Sequence, residues 1–143
     1  MAGKGTVFGA ILMVALVLMS VVACDNVQSA VAFDPLDGTS WTLVAYRKTS
    51  PIEGTMITAE FKEGIISGTA GCNHYTATYN PDGDAVTVGA IAVTEMACME
   101  PEGVMEQEMV YLGYLSQARD WSIDGDTLMI SCPDHEKLTF KAR

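Results

Sequence analysis

The chain has 143 residues, 49% of them hydrophobic, and sets 18 acidic against 8 basic side chains for a formal charge of −10. That length holds one ordinary domain. A surface so negative repels phosphate backbones, which sets nucleic acid aside as a partner.

In chain order, the first 23 residues read as a processing segment. Lys4 is followed by an uncharged apolar run, Thr6 to Ala23, that just reaches the roughly 18 residues at which a membrane span becomes possible. The run ends in "VVAC", Val21 to Cys24, which resembles the lipobox of prokaryotic lipoproteins. Cleavage before Cys24 would free its amine and leave its thiol to carry diacylglycerol, and two or more acyl chains hold a protein stably on a membrane. An uncleaved N-terminal helix with an ordinary buried Cys24 is the competing reading. In either case the rest of the chain lies outside the cytoplasm, in the cell envelope. Residues 1–23 are thus expected to be a signal segment, 24–34 a lipidated cysteine with a short tether, and 35–143 the folded domain. Loss of Lys4 with the signal would take the charge from −10 to −11.

From Pro35 on, the pattern is that of strands. "SWTLVAYRK" (Ser40 to Lys48) is rich in β-branched and aromatic residues and is broken by Pro51 and Gly54. In "MITAEFKE", Ile57, Ala59 and Phe61 alternate with Thr58, Glu60 and Lys62, as a half-buried strand does. "CNHYTATYN" places Asn73, Tyr75, Ala77 and Tyr79 opposite Cys72, His74, Thr76 and Thr78, and "PDGD" (Pro81 to Asp84) turns it into a hairpin. One or two further strands follow up to Cys98. Pro101 suits a first helical turn, and beyond it Met105, Met109, Leu112 and Leu115 recur at helical spacing, with Val104 and Tyr111 widening the stripe, and predict a helix whose methionines pack in the core. A hairpin around Asp124-Gly125 and a last strand "KLTFK" close the chain. The fold class is therefore mainly β with one α-helix (α+β): a small β-barrel-like or strongly curved antiparallel sheet with the helix packed across it.

Each candidate for chemistry has a plainer explanation. Cys72 and His74, two apart on a strand, face the same way about 6.6 Å apart, too far for an aimed nucleophile and base without a third orienting group. Asn80, Asp82 and Asp84 begin like a calcium loop, but Ala85 and Ile91 stand where glycine and glutamate are needed. Glu106 and Glu108 diverge on a helix and read as solvated flanks or caps. Nine methionines raise the question of copper or an oxidation sink; core packing accounts for Met105 and Met109, while Met96 and Met99, flanking Cys98, stay open. The expectation is no catalytic residue, no metal and no cofactor. Three cysteines besides Cys24 allow one bridge in an oxidising compartment, and strand ends favour Cys72 with Cys98, with Cys132 still open as a partner.

Five blocks in order, "LDGTSWTLVAY", "ISGTAGCNHYTATY", "IAVTEMACMEP", "VMEQEMVYLGYL" and "WSIDGDTLMI", resemble the META domain family, to which the heat-inducible lipoprotein HslJ belongs. The resemblance spans about residues 35 to 142. It implies a compact barrel-like fold with one helix, a disulfide between Cys72 and Cys98, and no established catalytic activity; Cys132 lies outside its pattern. It also implies links to heat shock, to novobiocin resistance and, in parasites, to virulence and motility. The expected function is that of a non-enzymatic envelope lipoprotein linked to stress tolerance, anchored through Cys24 and binding an envelope protein or ligand. A protease-inhibitor or chaperone-like module working through an exposed strand edge is the alternative. Gly38, Gly68 and Gly71 are expected at turns or close approaches, and Trp41 and Trp121 as core anchors.

Overall fold

The computed structural model describes residues 33–143; the expected signal segment, Cys24 and all but the last two residues of the expected tether lie outside the described residues. The elements are β1 (Thr39–Tyr46), β2 (Thr58–Lys62), β3 (Ile65–Thr69), β4 (His74–Asp82), β5 (Ala85–Val88), β6 (Ala92–Val93), α1 (Val104–Leu115), β7 (Asp120–Asp124), β8 (Thr127–Ser131) and β9 (Lys137–Ala142). Neighbours run β3-β2-β1-β9-β8-β7-β5-β4, and β4 returns to β3, so eight antiparallel strands close into a barrel. Closure is what removes the open edges of a sheet. The seam is narrow: β5 meets β7 only at Ala85 and Asp120, supported by Val86 N–H to Arg119 O (2.8 Å) and Trp121 N–H to Asp84 O (2.8 Å).

The two-residue alternation in β4 is obeyed. Asn73, Tyr75, Ala77 and Tyr79 are buried while His74, Thr76 and Thr78 face out. Ile57, Ala59 and Phe61 are buried as expected, but so is Thr58, because β3 crosses close over it at Gly68. A Cβ at residue 68 would overlap the Thr58 carbonyl, so only glycine lets the two strands approach this way. Leu36, Phe61, Ile66, Leu128, Ile130, Leu138 and Phe140 fill the interior, and Tyr111 and Leu115 of α1 join them.

Three expectations need correction. Trp41 is a core anchor, whereas Trp121 is only half-buried: it lies at the seam, where its indole N–H donates to Gly83 O (3.1 Å). Pro101 precedes the helix, which starts at Val104 after Gly103. Met105 and Met109 are not core residues; α1 is turned so that Val104, Gln107, Glu108, Tyr111 and Leu115 are buried and both methionines are exposed.

Gly68→Ala is expected to lower stability by about 3 kcal/mol, since backbone has to move to admit a methyl. Gly113→Ala, in α1 with nothing within 4 Å of the added Cβ, is expected to raise it by about 0.5–1 kcal/mol. Urea unfolding midpoints of the two variants check the pair.

Candidate functional site

The functional candidates meet at the corner between β3 and β4, Ala70-Gly71-Cys72-Asn73. Gly71 has φ 116°, and a Cβ there would press to 3.2–3.3 Å on Gln107 Nε2 and Val104 Cγ2. The chain therefore turns hard against α1, and its next two backbone N–H groups aim at the helix. Glu108, only 6% exposed, receives them: Oε2 accepts from Asn73 N–H (2.7 Å) and Cys72 N–H (3.3 Å), and Oε1 accepts from Asn73 Nδ2 (2.7 Å). No basic group takes part. A buried carboxylate is tolerable only when its lone pairs are filled in this way.

Asn73, 2% exposed, passes the connection on. Its Oδ1 accepts from Met96 N–H (2.7 Å) and Thr94 Oγ1 (2.9 Å), and its Nδ2 also donates to Met96 O (3.1 Å). The segment after β6, which has no ladder of its own, is thereby held to the barrel. Cys72 and Cys98 join the same two segments covalently, with Cα atoms 6.0 Å apart across a separation of 26 residues. A loop of that size stabilises by roughly 3–4 kcal/mol in the chain-entropy view. On the other side of the corner, Gln107 Oε1 accepts from Ile52 N–H (2.6 Å) and its Nε2 donates to Thr55 Oγ1 (3.0 Å), tying α1 to the loop after β1.

The site residues expected from sequence thus separate. Cys72 and Cys98 come together as a disulfide, and the thiol proposed against His74 no longer exists. His74 points outward and is exposed; Cys24 lies outside the described residues. Glu106 is exposed, but Glu108 is no solvated flank, and this is a correction. Glu108 and Gln107 are the residues that sequence reasoning missed. The signal was there: they share the helical stripe of Val104, Tyr111 and Leu115, so two polar residues on a core-facing stripe called for partners.

Deeper in, Tyr75 Oη donates to Thr58 O (2.8 Å) and pairs with Tyr111 Oη (2.8 Å). Burial holds both phenols far above the usual tyrosine range; for Tyr75 the bond to Tyr111 offsets this only in part. Cys132 is a free, buried thiol whose Sγ–H donates to Tyr114 O (3.4 Å). Burial first, then the nearby Glu136 carboxylate, pushes it up to about 11, while Arg119 pulls the other way. Such a thiol stays protonated and unreactive at neutral pH. Among the described residues no group of three His, Cys, Asp or Glu side chains could hold a metal ion, and no helix is long and apolar enough to cross a membrane.

A closed eight-stranded barrel filled by its own side chains, with one helix held by a buried carboxylate and the segment before it held by a disulfide at the GCN corner, defines a small β-barrel domain with a single α-helix among the described residues. Residues 34–143 match the META domain, and the chain belongs to that family. The protein is similar to one from Burkholderia xenovorans solved by NMR, at 27% identity and TM-score 0.65 over 80% of this chain and 93% of that one. A second NMR structure matches at 19% identity and TM-score 0.60, covering 73% and 89% of the two chains. A crystal structure of a DUF4847 family protein from Bacteroides vulgatus matches at 12% and 0.53, covering 74% and 93%. The last two share the fold alone. No curated protein matches this sequence.

The buried phenols make stability fall in alkali. An unfolded tyrosine ionises near pH 10, so the contribution of Tyr75 and Tyr111 is whole below that pH and is lost as pH rises toward their higher folded values, at about 1.4 kcal/mol per pH unit for each. Site-resolved NMR during a titration above pH 10 should show these two rings ionising only together with unfolding. Ionisation within an intact fold would contradict the buried pair.

Proposed function

We propose that this META-domain protein is a non-enzymatic, lipid-anchored component of the cell envelope. It acts by binding a protein or ligand and supports stress tolerance of the heat-shock type, with novobiocin-type resistance as a further role. The single observation that carries the non-catalytic part is the use made of the reactive groups. Cys72 is in a disulfide, the Cys132 thiol is buried and held protonated, and Glu108, Asn73, Tyr75 and Tyr111 are engaged with one another or with backbone. The disulfide also fits an oxidising compartment. The anchor rests on the lipobox-like "VVAC" ending at Cys24, and the stress and resistance roles rest on the likeness to HslJ. Among the described residues, the alternative, an inhibitor or chaperone-like module adding a strand to its partner, is left with the outer edge of β6, two residues long, as its exposed edge in the barrel's sheet.

The anchor is tested by intact mass and detergent partitioning of the chain expressed in a bacterial envelope. The expected product lacks residues 1–23, carries acyl mass on Cys24 and enters the detergent phase, and Cys24→Ser blocks processing. A full-length, unacylated mass would show an uncleaved N-terminal helix instead. Restoration of growth in heat and in novobiocin by the wild type, and its loss with Cys24→Ser, would tie the anchor to the stress role.

A further inference from the structure

Five of the six methionines among the described residues are exposed, and four of these lie on two neighbouring segments: Met96 and Met99 beside Cys98, and Met105 and Met109 on α1. Met99 is 84% exposed and Met109 68%. Met105 reaches back to the segment that carries Cys98 and Met99. Met105 Sδ accepts the Cys98 N–H at 3.5 Å, and Met99 is the next residue in the chain. Met105 and Met109, four apart on α1, are neighbours on one flank, with Cβ atoms about 5–6 Å apart. Both line a groove of about 590 Å³ together with Val93, Leu112 and the carboxylates Glu106 and Glu108. Met99 lies outside the groove's lining, one residue from the Cys98 N–H that Met105 Sδ accepts, on an unbranched side chain with three rotatable bonds.

We propose that Met99, Met105 and Met109 form a surface site for a soft monovalent cation, Cu(I) or Ag(I), bound through thioether sulfur. Thioethers select soft cations and bind calcium or magnesium poorly. Glu108 is occupied by its three N–H donors, so Glu106 is the free carboxylate of the groove, and its charge favours a cation there without offering a hard ligand set. The neighbouring cysteines are bonded to each other, which leaves methionine as the available sulfur at this face.

The test is a titration of the full chain in detergent with Ag(I), followed by the methyl resonances of ¹³C-labelled methionine. Cys24→Ser and Cys132→Ala remove competing thiols. At the first equivalent the methyls of Met99, Met105 and Met109 should shift while those of Met56 and Met129 stay in place. Met105→Leu/Met109→Leu should weaken binding about tenfold or more. Should that variant fail to fold, Met99→Leu, on an exposed loop, is expected to keep the Met129 signal in place and still lose about tenfold. Shifts spread evenly over all methionines, or affinity unchanged by the leucine variants, would overturn the site.

Discussion

The carboxylate of Glu108 is the point on which the arrangement of this barrel turns. It lies on the core-facing side of α1 with no basic partner and is made tolerable by three N–H donors, two from backbone and one from Asn73. Removing a charge from water costs several kcal/mol, and hydrogen bonds to a charged acceptor return about 1.5–3 kcal/mol each. Three of them are enough for the helix to be held in one rotation. With Gln107 beside it reaching Ile52 and Thr55, α1 is fixed from both sides of its buried stripe.

That rotation explains what lies outside. An α-helix turns about 100° per residue, so placing residues 107 and 108 inward directs Met105 and Met109 to the surface. The same corner holds the irregular segment from Gly89 to Gly103. Asn73 grips Met96 and Thr94, and the Cys72–Cys98 bond fastens the segment a second time. One polar network therefore positions the helix and the methionine-bearing loop together, and the disulfide secures the loop.

Much of this was legible from residues in order. The alternation in "CNHYTATYN" and "MITAEF" fixed which side chains face inward, and the glycine turns marked the hairpins that surround the barrel. The GCN corner and its bridge to Cys98 followed from strand ends and family likeness. Two features were missed, for one reason: a reading that counts only apolar residues along a helix passes over the polar members of its core-facing stripe. Met105 and Met109 looked like core because they are apolar, and Glu108 looked like surface because it is charged. Thr58 was misplaced for a related cause, since its burial depends on a glycine ten residues later in another strand. Trp121 reads as core in any composition-based view, yet the seam between β5 and β7 needed its N–H groups.

A double-mutant cycle between Glu108→Ala and Asn73→Ala, followed by urea unfolding, tests the central role of the buried carboxylate most directly. The two side chains meet at 2.7 Å, so their destabilisations should fall short of additivity by about 1.5 kcal/mol or more, each single change already having broken the same bond. Additivity to within about 0.5 kcal/mol would show that the helix is held by apolar packing and that Glu108 merely accompanies it.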